Sequence, residues 1–147
     1  MKSRHLARAI AVQTLYSLDF NARIHDCERP YSEPFAGYTK EEQSKLETDV
    51  VLYATFLING VLDHLNEIDE MINRFSSKRS IENINIVDRN ILRISMYTLL
   101  YCKEVHPSIV IDEAVKLSQE YSTEVNYRFI NGLLDTAVRH LHDSSEN

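Results

Sequence analysis

Three glycines and three prolines are all that punctuate this chain of 147 residues. Turn-rich β architectures need more, because tight turns lean on the positive φ of glycine and the fixed φ of proline. Long helices need few of either. The expected fold class is therefore all-α, a compact bundle of about six or seven helices forming one domain over residues 1–147. The length suits a single domain with a real core. Hydrophobic residues at 44% and charged residues at 26% mark a globular chain and not a disordered one. The tail, 143–147, is expected to be disordered, as chain ends usually are.

No apolar run approaches the ~20 residues needed to span a bilayer, and the opening Met1-Lys2-Ser3-Arg4 is not followed by an apolar signal-peptide core. The expected compartment is the cytoplasm, with no membrane partner. Cys27 and Cys102 then read as free thiols. Neither has a CxxC or histidine neighbour at metal spacing, so no metal site is expected. HExxH, Walker A, GxGxxG and GxSxG patterns are all absent. Asp112 and Glu113 are adjacent, and neighbouring carboxylates on a helix point about 100 degrees apart, which favours a solvated face over a general base. His140 and His142 lie too near the end of the chain for a rigid site. The expectation is no enzyme, no catalytic residue and no cofactor.

A formal net charge of -6 argues by itself against nucleic-acid binding. Its distribution argues the other way. Lys2, Arg4 and Arg8 precede the first acid, Asp19. A second basic run is Arg74, Lys78 and Arg79, extended by Arg89 and Arg93 and diluted by Glu82 and Asp88. Acids gather in Glu41 to Glu70, Asp112 to Glu124 and the tail. Segregation of this kind permits a local basic surface on an acidic protein, although a few solvated N-terminal cations would have the same pattern.

Ser3 to Phe20 has helical spacing, with Ala7, Ile10, Ala11, Thr14 and Leu18 on one face. Behind them His5, Arg8, Val12 and Tyr16 form a second stripe. It can serve RNA, since cations meet phosphates and aromatic rings stack on bases; it can equally pack on a neighbouring helix. Asn21 to Thr39, with Pro30, Pro34 and Gly37, reads as a long loop. Helical pattern resumes from Lys40 to Phe75, with Leu52, Phe56, Asn59, Leu62, Leu65, Ile68 and Ile72 at helical spacing and Gly60 as either a break or a close-packing point. Thr39 and Glu42 form a capping-box signature. After a polar link, Ile86 to Lys103 is apolar nearly all round and should be the central helix. Tyr97 and Tyr101 on it read as core or core-edge residues. Pro107 stops this helix and Ser108 can start the next, whose buried edge is Val110, Ala114, Leu117 and Tyr121. The last helix spans Val125 to His140, with Ile130, Leu133, Leu134, Ala137 and Leu141 inward and Gly132 implying a close helix-helix approach.

Several blocks together resemble the NusB family. Ser3-Arg4-His5-Leu6-Ala7-Arg8 followed by Gln13-Thr14-Leu15-Tyr16 is similar to that family's arginine-rich opening. Val87-Asp88-Arg89-Asn90-Ile91-Leu92-Arg93-Ile94, Ile111-Asp112-Glu113-Ala114-Val115-Lys116-Leu117 and Arg128-Phe129-Ile130-Asn131-Gly132-Leu133-Leu134-Asp135 are similar to three further blocks, in the family's order. Asn21 to Phe75 matches only by length and helical pattern.

The resemblance implies two packed helical subdomains and an RNA-binding transcription antitermination factor. It implies pairing with NusE, a small-subunit ribosomal protein, on single-stranded boxA RNA, in support of the transcription elongation complex over ribosomal RNA operons. It places Arg4, His5, Arg8 and Tyr16 in the arginine-rich RNA-contacting motif, Asp88 and Arg89 in a second patch, and Arg128 and Phe129 in a third. Elementary chemistry agrees: cations neutralise phosphate, Tyr16 and Phe129 can stack bases, and Asp88 can accept from base amino groups. Phe129 can equally be core, and Asp88 can equally cap its helix. His5 and Leu6 stand where many relatives carry arginines, which lowers expected RNA affinity and adds pH sensitivity. Ser122 replaces a usual glycine, and Val125 stands where a polar residue is expected. Other readings are a protein-protein module or homodimer with no direct RNA role, and the RNA-binding domain of an rRNA methyltransferase.

Overall fold

The computed structural model describes residues 2–76, 79–123 and 126–146. Lys78 and Val125 lie outside them. Among the described residues there are seven α-helices, one short 3-10 turn and no strand. The chain divides into two compact units, residues up to 65 and residues from 66 onward.

In the first unit, α1 (Lys2–Phe20) packs on α3 (Thr48–Asp63). The expected α1 face, Ala7, Ile10, Ala11, Thr14 and Leu18, is buried. Ala9, Val12 and Leu15 are buried too, so the second stripe is broken at Val12 and its remaining members flank the core. α1 ends in a left-handed cap: Ala22 has φ 58, the Arg23 N–H donates to the Leu18 carbonyl at 2.8 Å and the Ala22 N–H to that of Asp19 at 3.1 Å.

Residues 21–39 form the expected loop, and three side chains pin it. Thr14 Oγ1 accepts from the Ala36 N–H at 3.1 Å, Gln43 Oε1 from the Phe35 N–H at 2.7 Å and Asn59 Oδ1 from the Tyr31 N–H at 2.8 Å. Ile24, Cys27 and Phe35 of the loop are buried, which repays the ordering of its backbone. Gly37, at φ 83, supplies a left-handed turn. The capping box at Thr39 and Glu42 starts α2 (Lys40–Ser44). The interruption in the next stretch falls at His64, after α3; Gly60 is buried inside that helix. α3 turns Val50, Ala54, Leu57, Ile58 and Val61 inward, whereas Leu52 and Phe56, expected among the apolar positions of the stripe, are 63% and 46% exposed.

In the second unit, which takes all of α4 (Leu65–Phe75) but its first residue, the 3-10 turn Ile81–Asn83 follows α4, and α5 (Ile86–Tyr101) packs against both α6 (Pro107–Tyr121) and α7 (Asn126–Glu146). Nearly every residue from Asp88 to Leu99 is buried, as its all-round apolar pattern predicts. Asn85, not Asp88, caps α5: its side chain accepts from the Val87 N–H at 2.9 Å. Arg93, counted from sequence in the second basic run, is 3% exposed. Its Nε and a terminal nitrogen clasp both carboxylate oxygens of Asp69 at 2.9 and 3.0 Å, so it is a core ion pair and not a surface cation. Tyr97 is buried, while Tyr101 is exposed and donates to Glu67.

α6 starts one residue earlier than expected, with Pro107 in the first turn and His106 as the cap, its Nδ1 accepting from the Ser108 N–H at 3.1 Å. Val110, Ala114 and Leu117 are buried, but Tyr121 is 42% exposed. On α7, Ile130, Leu133, Leu134 and Ala137 face inward. Gly132 does not mediate a close helix approach: it is exposed, and a Cβ built there would meet nothing within 4 Å.

Candidate nucleic-acid interface

α1 rises from the N-terminus with Arg4 exposed and Arg8 one turn on and half-buried. Both guanidiniums lie over the same ring, that of Tyr53 on α3, at 3.8 Å and 5.6 Å from its centroid. The packing of α1 on α3 produces this pairing, because it brings Ser3 and Arg4 beside Asp49, Leu52 and Tyr53. Cation–π contact holds the Arg4 guanidinium plane in place while its N–H groups can still reach phosphate. Phe56 stacks on Tyr53 at 6.0 Å with 22° between the planes. His5 is half-buried beside Arg4 in sequence. Tyr16, 36% exposed, stacks on Phe20, which is 65% exposed, at 5.9 Å and 12°.

The second unit carries its own cluster. Asp88, expected to accept hydrogen bonds from bases, is only 2% exposed and therefore cannot meet a base edge without rearrangement. Ser118 Oγ donates to it at 3.3 Å, and Ser122 and Asn126 also hydrogen-bond to it. Burial raises the Asp88 carboxyl above the ordinary aspartate value, against these three hydrogen bonds and the charge of Arg79, which pull it down. Arg79 in turn lies over the half-buried Phe129 ring at 4.8 Å. Arg89 is half-buried on the first turns of α5. Arg128 is exposed and its Nε donates to the Tyr127 hydroxyl at 3.4 Å.

Arg4 and Arg8 are thus brought together on one ring, and Asp88 and Phe129 are linked through Arg79; Tyr16 stands apart with Phe20. Sequence reasoning missed Tyr53, Phe56 and Phe20, and counted Arg79 only as part of a basic run. The signal for α3 was present: Asp49, Leu52, Tyr53 and Phe56 follow i, i+3, i+4, i+7 as a second face beside the apolar one. Ser122, noted as a departure, is where the structure places a ligand of Asp88. Among the described residues no group of three or more histidine, cysteine, aspartate or glutamate side chains is disposed to hold a metal. Among the described residues no helix is long and apolar enough to cross a membrane.

These features define a class: an all-α protein of two helical units that displays arginine guanidiniums on aromatic rings. The NusB family model matches residues 5–139, and the chain belongs to the NusB family. A transcription antitermination protein NusB of Elusimicrobium minutum (strain Pei191) is 37% identical over 136 residues, covering 92% of each chain. That of Thermodesulfovibrio yellowstonii is 32% identical over 138 residues, covering 92% of this chain and 91% of the other. Among solved structures, T. maritima NusB superposes with a TM-score of 0.77 at 28% identity, covering 92% of this chain and 90% of that one. A chain from a crystal structure of antitermination factors NusB and NusE in complex with dsRNA gives a TM-score of 0.74 at 26% identity, covering 95% and 98%.

Proposed function

We propose that this chain is an RNA-binding transcription antitermination factor of the bacterial cytoplasm, acting without catalysis. It pairs with NusE and binds boxA-type single-stranded RNA, and the pair supports the elongation complex over ribosomal RNA operons. Residues 1–147 work as one RNA-binding domain, with Arg4, His5, Arg8, Tyr16, Arg89, Arg128 and Phe129 facing RNA and Asp88 acting from beneath. The observation that carries the reading is the gathering of Arg4 and Arg8 over Tyr53 in a chain of this family. Fixed guanidiniums beside an aromatic ring match an alternation of phosphates and bases. The net charge of -6 is no obstacle, since screening confines electrostatics to about 8 Å at physiological salt and leaves a local basic surface effective.

Fluorescence anisotropy of a labelled boxA-like RNA, titrated with this protein with and without NusE, tests the reading. Tighter binding with NusE, abolished by scrambling the RNA, is expected. Arg8→Ala should weaken binding and lower the slope of log K against log salt by about 0.7, one phosphate's worth on a single strand. Absence of RNA binding in both arms would discard the reading in favour of a protein-protein module.

A further inference from the structure

A groove in the first unit, between α1 and α3, is lined by Ser3, Arg4, Asp49, Leu52, Tyr53 and Phe56 and encloses about 360 Å³. Four of these residues are i, i+3, i+4 and i+7 on α3 and share one face. The core does not use that face, for Leu52 is 63% and Phe56 46% exposed. The Arg4 guanidinium lies over the Tyr53 phenol, and the Phe56 ring stacks with that same phenol. Asp49 stands in the first turn of α3 at the edge of the groove. A wholly apolar occupant would desolvate Arg4 and Asp49 without offering either a partner. A ligand with a flat π face, donor groups on one edge and an adjoining anion satisfies all three parts of the lining.

We infer that this groove holds one nucleobase of single-stranded RNA. The base stacks against Phe56 and Leu52, its flanking phosphate meets Arg4, and Asp49 accepts from an amino or imino donor on its edge. The volume falls at the small end of the range for ligand sites, about 300 to 1,000 Å³. The inference rests on the RNA-binding reading but reaches further, to a subsite built from α3.

The test is anisotropy with the full chain and short single-stranded boxA-like RNAs, each intact or carrying one abasic nucleotide at successive positions. Phe56 is exposed, so Phe56→Ala should fold, which circular dichroism verifies. Phe56→Ala is expected to weaken binding of intact RNA roughly tenfold, the usual range for one lost base–aromatic stack. Its salt slope should not change, because no phosphate contact is lost. One abasic position should weaken wild-type binding to a similar degree and leave Phe56→Ala unaffected, and Asp49→Asn should change the base preferred there. If wild type binds RNA and Phe56→Ala binds it equally well, the base site is refuted while RNA binding stands. If wild type binds no RNA, both readings fall. If Phe56→Ala keeps RNA affinity but abolishes a dimer seen by sedimentation, a second copy of the chain occupies the groove and the nucleobase assignment is overturned.

Discussion

Arg93 and Asp88 were both counted from sequence as part of a charged surface, and both are buried. Charge count alone could not separate them from Arg4 or Arg8, because burial depends on the helix face and the partner. Arg93 finds Asp69, 24 positions away, a pairing with no local signature. Removing Arg93 strands the carboxylate of Asp69, whose side chain is 16% exposed, so Arg93→Met should lower stability by about 1–3 kcal/mol. It should also leave the salt slope of RNA binding unchanged, which separates it from Arg8→Ala; chemical denaturation and anisotropy measure the two effects. Asp88 gives a pH signature. Its folded carboxyl titrates above the unfolded value, so between the two the folded state binds more protons. Its contribution to stability is therefore greatest at low pH and declines as pH rises through that window. In Asp88→Asn this decline should vanish, so the difference in melting temperature between variant and wild type should grow with pH from about 4 upward.

At the level of the elements, period-3.6 patterning located the long helices among the described residues, and the three blocks from Val87 to Asp135 lie on α5, α6 and α7, helices that the patterning had placed there. What it missed were boundaries and the uses of small residues. His106 caps α6 through its imidazole, an unusual cap that residue preferences do not anticipate. Gly132 is a mid-helix glycine with open space where its Cβ would be, so Gly132→Ala should raise stability by about 1 kcal/mol. Ala22 presents the reverse case, an alanine holding a left-handed cap at φ 58. Ala22→Gly should also raise stability by about 1 kcal/mol. Urea unfolding of each variant measures these gains, and a loss at position 132 would mean that the Cβ meets something after all.

At the level of the molecule, the all-α class was legible from the scarcity of glycine and proline, and the family from its short blocks. The division into two units was not legible in pattern or composition, because α4 begins one residue after His64 and no linker marks the change. Each unit holds one free buried thiol, Cys27 in the first and Cys102 in the second. Burial raises the Cys102 thiol above its ordinary value, and Cys102 closes the central helix α5. Cys27 lies in the loop. Thiol labelling without denaturant should therefore modify Cys27 faster than Cys102, and low urea should accelerate Cys102 more steeply, since it needs a larger opening. Mass spectrometry of the labelled peptides resolves the two rates.

The stacking of Arg4 on Tyr53 bears on how fast this protein can engage a ligand. A free arginine side chain must give up rotameric freedom when it docks, about 0.5–1.5 kcal/mol for an immobilised side chain of that length. Here much of that freedom is already gone before any ligand arrives. The guanidinium meets an incoming anion preorganised, so a larger share of encounters can convert directly into a bound state, without waiting for a long side chain to find its pose.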